Sequence, residues 1–202
     1  MSYADAYKLA AEKVDMAAKF FLGREEVGNL IVYGLSYDNL VGRDHDELDS
    51  ILEAQEDRYK AWLQDPFFDR KRVRIIFHGD LKLLLEHLPP SYIEVMQELE
   101  DKTQAHEWKR LFILIGHSGK REVQRQRPAD FLQQVREVGR PIPPNIDLVL
   151  RTGGGARLSD ALLPQTAYAE FYFIEKFITE IDSKDLSMAL DALRATIRKF
   201  GT

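Results

Sequence analysis

Four short, predominantly apolar runs with frequent β-branched residues recur along this chain: residues 30–35, 73–77, 111–115 and 146–150. Each is too short for a helix and too continuously apolar for a strand with one wet face, so each reads as a strand buried on both faces. Helical spacing fills the intervals. Tyr7, Leu9, Ala10, Val14, Ala17, Ala18 and Phe21 recur three or four residues apart within a helix expected over residues 3–22 and ended by Gly23. Residues 46–63, closed by Asp65-Pro66, and residues 91–103, opened by Pro89-Pro90, read the same way. Residues 171–174 suggest a short fifth strand and residues 183–199 a closing helix. Alternation of this kind predicts an α/β fold, a single domain over residues 1–202 with a mostly parallel central sheet flanked by helices. No repeat, low-complexity tract or linker interrupts it; residues 139–145, with three prolines, read as a loop.

Ligands of such sheets bind beyond the C-terminal ends of the strands. The four strand ends carry small or polar residues, at 36–39, 78–80, 117–120 and 151–157, and are expected to converge on one edge. The last is the most informative. Arg151 and Arg157 flank Gly153, Gly154 and Gly155, with Ser159 just beyond and Glu170 further on. Backbone amides of a glycine-rich turn can point together at an anion, and guanidinium forks match phosphate oxygens. Glu170 cannot bind phosphate directly, but a carboxylate beside a diphosphate suits Mg²⁺. The plainer alternative is a tight connection with two solvated arginines. No Gly-Lys-Ser/Thr follows the glycines, which excludes a Walker A loop, and the glycine spacing is not that of a dinucleotide fingerprint.

Composition removes other classes. With 28 basic against 33 acidic residues and a net charge of -5, no global positive field draws the chain to nucleic acid. There is no cysteine, hence no disulfide, thiolate metal site or cysteine nucleophile, which suits a cytoplasmic protein. The first 20 residues are amphipathic rather than signal-like, and no apolar run is long enough to span a bilayer. His78 and His117 end two strands and could be ligands or bases; without a third ligand at a recognisable spacing, local hydrogen bonding is the expected role. Arg121, Arg125 and Arg127 read as a solvated helix face, and Ser36, Ser118 and Ser159 lack a nucleophile elbow.

The run Asp147-Leu148-Val149-Leu150-Arg151-Thr152-Gly153-Gly154, then Arg157-Leu158-Ser159, Gln165, Ala167-Tyr168-Ala169-Glu170 and Tyr172-Phe173 closely resembles the C-terminal signature of cis-prenyltransferases, the undecaprenyl and dehydrodolichyl diphosphate synthases. Val32 to Asn39 resembles the family's second signature, Ile75 to Asp80 its strand ending in Gly-Asp, Gly116 to Lys120 a degraded Asn-Tyr-Gly-Gly-Arg, and Arg198 to Gly201 its terminal Arg-Arg-Phe-Gly.

The resemblance implies that an allylic prenyl diphosphate ionises with help from Mg²⁺, that isopentenyl diphosphate attacks the allylic carbon, and that proton loss leaves a cis double bond. It implies diphosphate binding by Arg151, Gly153, Gly154, Arg157, Ser159 and Arg43, Mg²⁺ binding by Glu170, and Ser36 and Asn39 near the reacting carbons. It further implies a hydrocarbon tunnel walled by the second and third helices, a homodimer or a heterodimer with a catalytic homologue built from the C-terminal region, and work at a membrane surface. The family's first signature, Met-Asp-Gly-Asn-Gly-Arg-Trp after a strand, has no counterpart here, and Asp5 and Asp15 lie in a helical pattern without the glycine-rich turn. Gly155, Pro164, Leu40 and Lys199 also depart from the family pattern. Either an upstream segment belongs to the native protein, or the signature has been lost and the chain acts as one subunit of a hetero-oligomeric synthase. A non-catalytic accessory subunit and a divergent prenyltransferase with unusual coupling are the other readings.

Overall fold

The computed structural model describes residues 2–125, 142, 143 and 145–196. The stretch expected to resemble the family terminus at Arg198 to Gly201, with Lys199, and most of the proline-rich loop lie outside the described residues, as does Arg127.

The first element is α1, Tyr3–Leu22. Ser2 caps it, accepting from the Asp5 amide while the Asp5 carboxylate accepts from the Ser2 amide, a reciprocal pair that stabilises a helix start by about 1 kcal/mol. β1 is Asn29–Ser36, α2 Tyr37–Gly42, α3 His45–Gln64 and α4 Pro66–Arg70. β2 is Val73–His78, α5 Leu81–His87, α6 Pro90–Thr103, β3 Lys109–His117 and α7 Gly119–Arg125. β4 is Leu148–Arg151, β5 Glu170–Phe173, and a 3₁₀ turn at Ile178–Glu180 leads to α8, Ser183–Ala195. Asp65-Pro66 ends α3 as expected, but Pro66 also starts α4, where its missing N–H costs nothing and the Asp65 carboxylate accepts from the Phe67 amide.

All strand pairings are parallel, but they fall into two groups: a three-stranded sheet in the order β1-β3-β2 and a two-stranded sheet of β4 and β5. The expectation of one central sheet therefore needs refining. Among the described residues β1 pairs only with β3, and β4 only with β5. Between β1 and β4 lies an apolar slot of ≈ 570 Å³, with Ala17 and Phe21 of α1 among its walls.

β3 explains why these runs are continuously apolar. Leu111, Ile113 and Ile115 face a cluster with Leu52, Tyr59 and Trp62 of α3 and Tyr92 and Leu99 of α6, while Phe112 and Leu114 face Ile76, Ile142 and Leu162. Both faces are dry, so no polar alternation survives. Asp15, buried in α1, accepts from the Trp62 indole at 2.7 Å and pairs with Lys19 at 2.9 Å; Asp5 caps the helix. Both aspartates thus have structural partners. Lys109, 2% exposed at the start of β3, donates to the carbonyls of Arg24 and Val27 at 2.6 and 2.7 Å, which closes the link between α1 and β1.

Candidate functional site

The C-terminal edge of the strands carries a cleft of ≈ 540 Å³ lined by Ser36 at the end of β1, Asp38 and Asn39 in the first turn of α2, Lys120 at the start of α7, Arg151 at the end of β4, and Ser159 beyond it. Three of the four expected strand ends thus meet in one cleft. The fourth is adjacent: the rings of His78 and His117 lie 6.0 Å apart.

Arg151 ends β4 with its guanidinium turned onto the chain that follows. Its Nη1 donates to Ser159 Oγ at 2.9 Å and to the Arg157 carbonyl at 2.5 Å, and its Nε is buried with no partner. The Arg157 guanidinium stands close by. A Cβ on Gly155 would lie 3.0 Å from Arg157 Nη1 and 3.3 Å from Arg151 Nη2, so both guanidiniums pack over the bare glycine. Burial, and then the neighbouring Arg157, pull Arg151 below the ordinary guanidinium value, though arginine keeps its charge. Among the described residues no carboxylate forms an ion pair with either arginine. Two adjacent like charges without a counter-ion, rimmed by hydroxyl donors, suit a dianionic ligand.

The glycines act differently from expectation. Gly153 and Gly154 adopt left-handed φ values of 84° and 69°, which a side chain would resist. Their amides are already occupied: Gly153 donates to the Lys176 carbonyl at 2.8 Å and Gly154 to that of Ile174 at 3.3 Å. The turn therefore fastens the chain leaving β5 and offers neither amide to an anion. Diphosphate recognition falls instead to the side chains around it.

Ser36 and Asn39 both line the cleft, with the Ser36 hydroxyl capping α2 by accepting from the Asn39 amide at 3.1 Å. Arg43 is held elsewhere, donating to the Tyr7 hydroxyl at 2.7 Å and paired with Glu47, so it is not part of the lining. Glu170 opens β5 opposite Leu148, three positions before the Arg151 and Phe173 pair in the parallel register, and it does not line the cleft either. Among the described residues no three histidine, aspartate or glutamate side chains converge as metal ligands. The donors on this cleft therefore do not fit a self-sufficient Mg²⁺ site. The apolar faces of α3 and α6, expected to wall a tunnel, pack against one another and against β2 and β3 as core.

The buried groups behind the cleft are held neutral. Burial, then the neighbouring His78, push His117 down to about 4, and burial lowers His78 as well. Neutral His117 accepts from the Leu162 amide at 3.4 Å through Nε2. Tyr33 is pushed up to about 12 by burial and by the Asp160 and Asp38 carboxylates, so its phenol stays a donor, to the His117 carbonyl at 3.0 Å. Arg121 lies over the Tyr37 ring at 4.0 Å, a stacked rather than freely solvated arginine. Sequence reasoning missed Asp38, Tyr33, Lys120 and Asp160 as lining residues. Asp38 and Lys120 stand in strand-end stretches that were legible; nothing local marks Tyr33 or Asp160.

The model of the family described as putative undecaprenyl diphosphate synthase matches residues 2–201. A geranylgeranyl-diphosphate-specific tritrans,polycis-undecaprenyl-diphosphate synthase from Pyrobaculum aerophilum is 33% identical over 209 residues, covering 97% of this chain and 86% of that protein. The fold is similar to that of lavandulyl diphosphate synthase from Lavandula x intermedia, solved with dimethylallyl diphosphate, at a TM-score of 0.83 and 21% identity over 100% of this chain and 90% of that one. It is also similar to a probable undecaprenyl diphosphate synthase from Campylobacter jejuni, at a TM-score of 0.78 and 24% identity over 96% and 92%. The paired arginines at a strand-end cleft, the parallel α/β architecture and the match across nearly the whole sequence converge on one assignment: the chain belongs to the undecaprenyl diphosphate synthase family of cis-prenyltransferases.

Proposed function

We propose that this chain takes part in condensing isopentenyl diphosphate with an allylic prenyl diphosphate to give a polyprenyl diphosphate, as one subunit of a hetero-oligomeric synthase. The observation that carries the reading is the Arg151 guanidinium, held on Ser159 in the strand-end cleft with no carboxylate partner among the described residues; the Arg157 guanidinium stands beside it over Gly155 but lines the neighbouring slot rather than the cleft.

In the reaction the allylic C–O bond breaks and the diphosphate leaves with the electron pair. A carbon–carbon bond forms to isopentenyl diphosphate, and one proton is lost to leave the new double bond. Arg151, Arg157 and Ser159 hold the diphosphate of isopentenyl diphosphate and fix its orientation, so that the attacking carbon is presented in one geometry. Ser36 and Asn39, which line the same cleft, are assigned to the reacting carbons in this reading. Bound Mg²⁺ would supply positive charge to the departing diphosphate, but on this cleft the described carboxylates fall short of a complete set for it, and Glu170 is not among the lining residues.

The feature that supports an added strand is the slot between β1 and β4. The Arg110 amide donates to the Gly28 carbonyl, so Leu30 and Val32 bond toward β3 while Asn29, Ile31 and Tyr33 direct their N–H and C=O groups to the slot. On β4 the Asp147 and Arg151 carbonyls accept from Glu170 and Ile174, which leaves Leu148 and Leu150 facing the slot. Two facing edges across an apolar slot fit an inserted parallel strand, whose C-terminal end would arrive at the cleft.

A second reading, a non-catalytic subunit that supports a catalytic homologue, is favoured by the occupied glycine amides. Incorporation of labelled isopentenyl diphosphate with an allylic primer and Mg²⁺, by this chain alone and with a co-expressed homologue carrying the missing signature, tests both. Turnover that requires the mixture and falls at least about 100-fold with Arg151→Ala supports catalytic participation. Unchanged turnover with Arg151→Ala supports the accessory reading.

A further inference from the structure

Asp160 lies in a run of non-glycine residues with left-handed backbone: φ is 50° at Ser159, 64° at Asp160 and 44° at Leu162. L-residues resist this conformation, so something must hold it. The fastening is dense. The Asp160 carboxylate accepts from the Ser118 hydroxyl at 2.5 Å and from the Lys120 amide at 2.9 Å, and its carbonyl accepts from the Gly119 amide at 2.7 Å. One residue thus engages three consecutive residues at the end of β3 and the start of α7. On the other side Ser159 Oγ and the Arg157 carbonyl receive the Arg151 guanidinium from the end of β4.

β3 and β4 belong to different sheets with no strand pairing between them among the described residues. The segment from Arg157 to Asp160 is therefore a strap that ties the two sheets together at the mouth of the cleft, with both walls contributing to the lining. We infer that Asp160 is the positioning residue of this cleft: its bonds to Ser118, Gly119 and Lys120 fix the strap, and the strap fixes where Ser159 and the Arg151 guanidinium meet a diphosphate. The inference rests on the diphosphate reading of the cleft. The carboxylate brings negative charge to an anion site, a cost the geometry offsets by directing both its oxygens at donors on the β3 side. Replacing the charge while keeping the hydrogen bonds should then do no harm, since asparagine tolerates the left-handed region and can accept from Lys120 while donating to Ser118.

The test is calorimetric binding of inorganic pyrophosphate without Mg²⁺ to the wild-type chain and to Arg151→Ala, Asp160→Ala, Asp160→Asn, Ser118→Ala and the Ser118→Ala/Asp160→Ala double variant, each checked by thermal melting. Asp160→Ala and Ser118→Ala should each weaken binding roughly tenfold, the size of a lost charge-assisted hydrogen bond. The double variant should be no weaker than either, and Asp160→Asn should bind as tightly as the wild type or more so. If Asp160→Ala fails to fold, Ser118→Ala carries the same expectation. Weak binding by Arg151→Ala with wild-type binding by Asp160→Ala or Ser118→Ala overturns the clamp and leaves the diphosphate reading standing. Tighter binding by both Asp160 variants makes the residue a mere repulsive charge and also overturns it. No pyrophosphate binding by the wild type, or binding indifferent to Arg151→Ala, overturns the diphosphate reading itself.

Discussion

Arg151 and His117 show how differently burial treats two kinds of charge at neighbouring strand ends. The guanidinium keeps its proton and is left wanting an anion; the imidazole gives its proton up, pushed down to about 4 against an ordinary 6.5. The native state therefore binds fewer protons at this site than the unfolded chain between those two values, so stability is fully present above about 6.5 and is lost as pH falls toward 4. Urea midpoints measured across that range should fall for the wild type, by up to about 3 kcal/mol from this residue. His117→Gln, which keeps an acceptor without a titration, should flatten that portion of the curve; a parallel curve would mean that other groups govern it. At this scale the strand-end pattern led to Ser36, Asn39, Arg151 and Ser159, which the structure gathers along one cleft, whereas Arg157 lines the neighbouring slot. The sequence was a poor guide to Gly153 and Gly154. Their spacing was legible, but which carbonyls their amides would meet depended on the chain leaving β5, some twenty residues later.

At the scale of elements, the two outer edges of the three-stranded sheet are treated in opposite ways. β2 is closed by α6: the Ile75 amide donates to Thr103 Oγ1 at 3.0 Å and the Phe77 amide to Glu100 Oε1 at 2.7 Å. Thr103 is itself 1% exposed and donates to the Leu99 carbonyl at 2.7 Å. Burial raises the Glu100 carboxyl above its ordinary value, the expense of placing an acid where an edge amide needs an acceptor. Thr103→Val keeps the shape and removes the acceptor, leaving a buried N–H unpaired, and should lower the unfolding free energy by about 1–3 kcal/mol in urea denaturation. Thr103→Ser should recover most of it. Helix and strand positions were readable from periodicity; α1 spans the expected residues, α6 and β2 differ from expectation by one residue at one end, and α3 by one residue at each end. The short helices α2, α4, α5 and α7 were not, because five to seven residues are too few to show a period; α2, α5 and α7 start directly at strand ends, and α4 at the Asp65-Pro66 stop of α3.

At the scale of the whole molecule, β1 and β4 leave their facing edges unpaired with one another, and Arg157 to Asp160 is the strap that crosses between their sheets at the cleft. Hydrogen exchange should read the difference between the edges directly. In the chain alone the amides of Ile31 and Tyr33, directed at the slot, should exchange far faster than those of Ile75 and Phe77, which have side-chain acceptors. Co-purification with a strand-donating homologue should slow Ile31 and Tyr33 and leave the other two unchanged; exchange that is already slow in the chain alone would argue that the slot is closed. The sequence by itself determined the parallel α/β class, the helix and strand order and the family, since these follow from periodicity and from residues close together in the chain. Only the tertiary structure decided that the sheet falls into two groups, that the glycine amides are occupied, that Arg43 and Glu170 stand apart from Arg151, and that Asp160 fastens the cleft. Each of those depends on which distant backbone or side chain arrives as a hydrogen-bond partner, and no local pattern encodes that meeting.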